Sequence, residues 1–286
     1  MNIYAKMTNI FDVPVVFATK RDIVLWCEER ILTNVSTNIV TVNPEILLMA
    51  RRDAWYKTIL QKADLITPDG AGICWALRFT ELADQSTSIV GIIKLFIGSL
   101  WQVVFGRTVN VGYPERVSGA DLFWDIIQIA EQQNKKVYLI GGERKTAQRA
   151  AKRIISRYKK INIWAYGPDH TATPYSPQIL HNEIIEIRPE IIFVAYGSPK
   201  QEEWINQNMH RYPFVRFAMG VGGTLDFIAG NAVRAPLRLQ KHALEWFWRL
   251  YQRPSRIIRV FRATMVFPSI ILISQLNKFY ARKFRK

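Results

Sequence analysis

An aspartate held between a proline and a glycine has a fixed direction. Asp69 stands in that setting, in the run ADLITPDG at residues 63–70. A carboxylate placed this way could take a proton from a hydroxyl group, the work of a general base. A turn aspartate bonded to its own backbone accounts for the same residues. Asp64 reads as a cap or a solvent-facing acid, whereas Asp226, in GGTLDFIAG, fits a catalytic acid or a helix start. Four more loops follow apolar runs. Thr41 and Asn43 close NIVTVN, and Gly141 and Gly142 close VYLIGG. Gly197, Ser198, Pro199, Lys200 and Gln201 follow IIFVAY, while Gly220, Gly222 and Gly223 follow FVRFAM. A glycine after a strand is usually only a turn. Parallel sheets keep their ligands at the carboxyl ends of strands, and a helix starting after Gly142 could hold a phosphate. Five such loops, with Gly70 in the first, point to a ligand cleft.

Several chemistries are disfavoured by what the chain lacks. It has no Asp-x-Asp pair, and His170, His181, His210 and His242 are dispersed without metal-ligand spacing. No metal site and no cofactor are expected. The phosphate-loop motif, Gly-x-Gly-x-x-Gly after a strand and Gly-x-Ser-x-Gly are all missing. The two cysteines, Cys27 and Cys74, form no Cys-x-x-Cys pair and suit a reducing compartment. The opening residues contain no long apolar core ending in a small-residue cleavage site, so no secretory signal is expected.

The elements that must position the loops alternate along the chain. Strands are expected at 38–43, 135–142 running into its glycine pair, and 161–167, with a short strand and turn at 63–70 and a strand and loop at 191–200 and at 214–223. Helices are expected at 44–63, 118–134 with Ser118 as cap, 143–160, within 177–190, and at 201–212. Near-continuous apolar strands alternating with helices predict an α/β fold, a mostly parallel sheet covered on both faces.

The 286 residues are 49% hydrophobic and 22% charged, a globular composition. Lys and Arg number 39 against 23 Asp and Glu, a net +16. Residues 234–286 hold thirteen of the basic residues and one acid, Glu245. The chain therefore divides into a nearly neutral body, 1–233, and a basic appendage, 234–286. The appendage needs an anionic partner: nucleic acid, a phosphorylated ligand or a membrane surface. Its apolar run 265–274 contains Pro268 and is too short to span; with the basic end around it, it suits the surface of an anionic bilayer. Within the body, residues 89–106 carry Lys94 as their one charge. A buried core helix, an interfacial helix and a membrane span are the three readings, and a span would split the fold.

The motifs TVNPEIL (41–47), ADLITPDGAG (63–72), ERVSGADLF (115–123), VYLIGGE (137–143), IIFVAYGSPKQEEWI (191–205) and GVGGTLDFIAGNAVRAP (220–236), followed by LEWFWRLYQRPSRIIR (244–259), resemble those of the WecG/TagA/CpsF glycosyltransferases. The likeness runs in order from about residue 10 to 262. It implies a Rossmann-like fold and inverting, metal-independent transfer of a sugar from a UDP donor to a polyprenyl-diphosphate-linked sugar. N-acetylmannosamine or its uronate is the usual donor sugar in cell-wall or surface-polysaccharide synthesis. The place implied is the cytoplasmic face of the cell membrane, held peripherally. Residues 89–106 look like an insertion in this pattern.

By the same resemblance Asp69 is the base and Thr41 shares the catalytic strand end. Asn43, Gly70, Gly141, Gly142, Gly197, Pro199, Lys200, Gln201, Gly222 and Asp226 are expected to line the substrate cleft. Arg234, Arg238, Arg249, Arg253 and Arg256 are expected to close over the diphosphate. Arg282, Lys283, Arg285 and Lys286 are assigned to the bilayer, in a segment separable from catalysis. The same chemistry with a hexose such as glucose is the near alternative. A nucleic-acid-binding protein with a nucleotide-binding body is the distant one, disfavoured by the greasy 265–274 run, and an NAD-dependent oxidoreductase lacks its fingerprint. Self-association into a homo-oligomer is left open.

Overall fold

A computed structural model describes residues 3, 7–33, 35–104, 116–143, 145–167, 176–233, 235–236, 245–252, 254 and 257–284. The chain opens with an antiparallel hairpin, β1 (Met7–Ile10) and β2 (Val13–Val16). Its two turn residues, Phe11 and Asp12, both have positive φ, the turn whose twist matches a hairpin. Helix α1 (Lys20–Leu32) follows, begun by a capping box between Thr19 and Asp22.

Six strands then form one sheet: β3 (Thr37–Val42), β4 (Leu65–Pro68), β5 (Lys136–Gly141), β6 (Asn162–Tyr166), β7 (Ile191–Ala195) and β8 (Phe217–Gly220). Their spatial order is β4-β3-β8-β7-β5-β6, and every pairing is parallel. The strands are apolar on both faces because both faces are covered. Ile39, Leu65, Leu139, Phe193 and Met219 pack on one side with α1, α6 (Gly119–Gln132), α7 (Thr146–Arg157) and α10 (Thr224–Ala229). Val40, Val42 and Ile66 pack on the other with α2 (Pro44–Arg52), α3 (Ala54–Gln61) and α4 (Ala71–Asp84). Beside them Ile140, Ile192 and Val194 meet α8 (Pro177–Ile187) and α9 (Lys200–Asn208).

Three expectations need correction. Residues 44–63 form two helices, because Asp53 leaves the first and caps the second, accepting the Tyr56 N–H at 3.1 Å. Ser118 occupies the cap position of α6 but its side chain makes no cap bond. Residues 265–274 are part of a much longer helix, Ile257–Phe284, which continues through Pro268. A π-helical turn at Arg262–Val266 precedes that proline. Widening the turn there relieves the clash between a proline ring and the carbonyl four residues back.

The helix α5 (Ile89–Val104) is also not the buried core helix that composition allowed, since Ile92 is its one buried apolar residue among those described. Two more helices follow among the described residues, α11 (Glu245–Gln252) and α12 (Ile257–Phe284). By length and composition α12 could cross a membrane, a test that a core helix of a soluble protein also passes. In this fold Phe267, Ile271 and Phe279 on one of its faces belong to the core beside α4. Lys278 and Arg282 fasten that face to Asp84 at 2.6 and 3.4 Å.

Candidate active site

The site forms at the carboxyl edge of the sheet. The chain enters the sheet at β3 and leaves it at β8 alongside, so the loops after β4, β3, β8 and β7 are neighbours. The Asp69 N–H donates to the Val42 carbonyl at 2.8 Å, which pins Asp69 against the end of β3. Gly70 has φ +96, and a Cβ there would meet nothing within 4 Å. Glycine is required by the backbone direction, not by space. Asp69 is half-buried at the start of α4.

The Pro68 carbonyl accepts the Val117 N–H at 3.0 Å, which brings Arg116 to the same corner. Cys74, one turn into α4, feels both charges. Burial first, then Asp69, pushes its thiol up to about 12, while Arg116 pulls the other way. Asn43 caps α2, its Oδ1 accepting the Ile46 N–H at 3.1 Å. A Cβ on Gly119 would stand 2.8 Å from the Thr41 Oγ1, so α6 begins as close to Thr41 as glycine permits. Thr67, level with Thr41 in the sheet, is fully buried, and its hydroxyl has no hydrogen-bond partner among the described residues.

Gly197, Ser198 and Pro199 turn the chain from β7 into α9, with a cis Ser198–Pro199 peptide. Gln201 behind them is buried. Its Oε1 accepts the Gly222 N–H at 2.9 Å, and its Nε2 donates to Glu202 Oε1 at 2.7 Å. Glu202 is 1% exposed and also accepts from Ser198 Oγ at 2.8 Å and from the Tyr56 hydroxyl at 3.1 Å. Burial raises its carboxyl above the ordinary value, and the bonds from Gln201, Ser198 and Tyr56 partly offset that. Gln201 therefore binds two rim loops together, with both polar atoms engaged by protein. Lys200 is exposed beside it.

Gly141 and Gly142 end β5, four strand intervals or ~19 Å from β4. Asp69 and Gly142 thus stand at opposite ends of a row of loops along the carboxyl edge of the sheet. At the Gly142 end, Asn231 donates to Thr146 Oγ1 at 2.8 Å and to Asp226 Oδ1 at 3.2 Å. Asp226 organises the turn after α10; its carbonyl accepts the Asn231 N–H at 2.8 Å. Of the basic appendage, Arg259 reaches the opposite end, its Nε 3.3 Å from Glu45 Oε1, two residues beyond Asn43. Arg234, Arg238, Arg253 and Arg256 lie outside the described residues, as do Arg285 and Lys286; Arg249 falls on α11, its side chain outside them. Among the described residues no three His, Cys, Asp or Glu side chains gather for a metal ion.

A profile of the WecG/TagA/CpsF glycosyl transferases matches residues 8–96 and 97–281. The chain belongs to this family. It is a glycosyltransferase. Among its relatives is an N-acetylglucosaminyldiphosphoundecaprenol N-acetyl-beta-D-mannosaminyltransferase of Bacillus subtilis, 27% identical over 249 residues, 87% of this chain and 84% of the relative. Proteins of the same description from Bacillus spizizenii (28% over 218 residues, 76% of this chain and 72% of the relative) and Staphylococcus aureus MW2 (28% over 230, 79% and 78%) also match. In this WecG/TagA/CpsF transferase, the loops after β3, β4, β7 and β8 that carry the motifs at 41–47, 63–72, 191–205 and 220–233 lie side by side at one edge of the sheet.

Three features of the site escaped sequence reading. Arg116 lies inside the ERVSGADLF motif, but its basic charge stood without a known neighbour. Glu202 directly follows Gln201 and reads as a helix-surface acid. Tyr56 meets it from far along the chain. Arg259 was one arginine among many in the appendage.

Proposed function

We propose that this glycosyltransferase moves N-acetylmannosamine, or its uronate, from a UDP donor to a polyprenyl-diphosphate-linked sugar, with inversion. The observation that carries this reading is the meeting of Asp69, Asn43, Arg116 and the Gly222 loop at the ends of adjacent parallel strands, in a chain whose relatives are named as N-acetylmannosaminyltransferases acting on a diphosphoundecaprenol-linked N-acetylglucosamine. Asp69 takes the proton of the acceptor hydroxyl, whose oxygen forms the new bond to the anomeric carbon from the face opposite UDP. The bond from that carbon to the UDP oxygen breaks, and the negative charge leaves on the diphosphate. Backbone N–H groups of the rim loops and the arginines Arg116 and Arg259, joined by those at 234, 238, 249, 253 and 256, steady that charge without a metal. Thr41 and the Asn43 amide nitrogen hold the acceptor beside Asp69. Gly142 and its neighbours receive the far end of the donor.

The lipid on the acceptor requires a bilayer, and the basic α12 suits the anionic cytoplasmic face, bound peripherally. Nucleic acid is not the partner in this reading. Mass spectrometry of a lipid-diphosphate N-acetylglucosamine acceptor, incubated with a panel of UDP-sugars, tests it. N-acetylmannosamine addition is expected. Transfer of glucose alone would replace the donor assignment, and no transfer from any UDP-sugar would remove it.

A further inference from the structure

Helix α5 leaves an apolar face in solvent. Val90, Ile93, Ile97 and Trp101 are 62, 40, 62 and 64% exposed, and their spacing puts them on one side. Gly98 and Lys94 are exposed with them. The opposite side holds Ile92, Leu95, Phe96 and Leu100 against the body. The direction of the helix is fixed by two contacts. The Trp75 indole N–H donates to Ser99 Oγ at 2.9 Å, and the rings of Phe79 and Phe96 meet edge to face at 5.6 Å. Residues early in α4 therefore face residues late in α5, and the two helices run antiparallel. Gly70 begins α4, so Trp101 returns to within about one helical turn, ~5 Å, of the level of Asp69.

We propose that the Val90–Ile93–Ile97–Trp101 stripe lies in the interface of an anionic phospholipid bilayer and sets the acceptor's diphosphate at the height of Asp69. The proposal rests on the lipid-linked acceptor argued above. Three observations favour a bilayer over a second protein. The stripe is apolar apart from Lys94, whose long stem lets its ammonium rise to the headgroups. Trp101 closes the stripe at the site end, as an aromatic anchor does at a lipid–water boundary. The adjoining α12 contains no acidic residue; Lys278 and Arg282 share the single carboxylate of Asp84, so with Lys283 exposed beside them this end keeps a net positive charge, complementary to anionic lipid. An acceptor whose hydrocarbon stays in the membrane then meets Asp69 without leaving it.

The test uses the full chain, vesicles with and without phosphatidylglycerol, and the double variant Ile97→Glu/Trp101→Glu. Both positions are exposed, so the fold is expected to survive, which circular dichroism checks. The variant should partition to anionic vesicles at least about tenfold more weakly. It should lose turnover of a vesicle-embedded acceptor and keep turnover of a short, water-soluble one. Since Cys27 and Cys74 are buried, Ile97→Cys gives a single accessible site for an environment-sensitive dye, whose emission should shift to the blue on vesicles. Unchanged partition of the double variant, or a dye that stays in water, overturns the proposal. So does a wild-type dimer that the double variant dissociates, which would make a second copy the occupant. Stripe-dependent vesicle binding with no sugar transfer to either acceptor would instead overturn the proposed function and leave the surface standing.

Discussion

Deleting residues 265–286 strips more than charge from the molecule. It removes Phe267, Ile271 and Phe279, which are 0, 3 and 9% exposed, from the cluster beside α4. Burying a large apolar side chain contributes about 1.5–3 kcal/mol, so the three together contribute about 4.5–9 kcal/mol. An extended unfolded chain makes that an upper figure. It still compares with a whole-domain stability of about 5–15 kcal/mol. The truncated chain is therefore expected to lose most of its cooperative urea transition, and turnover of a water-soluble acceptor should fall as the folded fraction falls. This reverses the division drawn from sequence, in which the extreme end was separable from catalysis. The control is Lys278→Gln/Arg282→Gln, which keeps the apolar face and removes only two partly exposed ion pairs to Asp84; its stability should fall by about 2 kcal/mol or less. Urea titrations followed by circular dichroism, at fixed pH and salt, separate the two. A truncated chain with an unchanged midpoint and full soluble-acceptor turnover would refute the packing argument.

Four further outcomes are expected. Asp69→Asn should lower turnover about 10²–10⁴-fold while UDP affinity, read by calorimetry, stays within a few-fold; near-normal turnover would remove Asp69 as the base. Activity should survive EDTA, and loss that Mg²⁺ restores would sink the metal-independent mechanism. Cys27 and Cys74 are buried with thiols raised by desolvation, so a thiol-reactive disulfide reagent should label neither in the folded chain and both in urea. Glu202 is held above its ordinary value, so the folded chain keeps this proton to higher pH than the unfolded chain. The stability linked to it is complete below about 4.3 and lost as pH rises toward the folded value. Glu202→Gln should flatten that decline in the urea midpoint, and an identical slope in the variant would contradict the burial argument.

The parallel sheet was legible because each strand is a short apolar run ending at a polar or glycine loop. The break at Asp53 was not, because Asp53 interrupts a continuous helical period with a single cap. The length of α12 was hidden by Pro268, which ends most helices but is tolerated here after a π turn. Asp69 and Asn43 stand out as candidates from their settings at strand ends, and Gln201 from the family resemblance. What Gln201 does could not be read, because it depends on Gly222 and Glu202 across two loops. The exposed side of α5 was equally out of reach, since both its sides are apolar and only the packing of Phe96 and Ser99 decides which one meets the body.

The pairing of β3 with β8 joins Thr37 to Phe217, so the centre of the sheet closes with the last of its strands to be made. At ribosomal speeds of about 5–20 residues per second, roughly 10–40 s separate the two strands. During that interval Asp69 and Asn43 already exist, but the Gly222 side of their cleft does not. Long-range parallel pairing of this kind is slow to form and leaves a strand edge open meanwhile. On the proposed reading of the cleft, a chain becomes able to transfer sugar only once its synthesis has passed Gly222. A nascent chain stalled earlier holds β3 against β4 on one side and leaves its other side as an open strand edge.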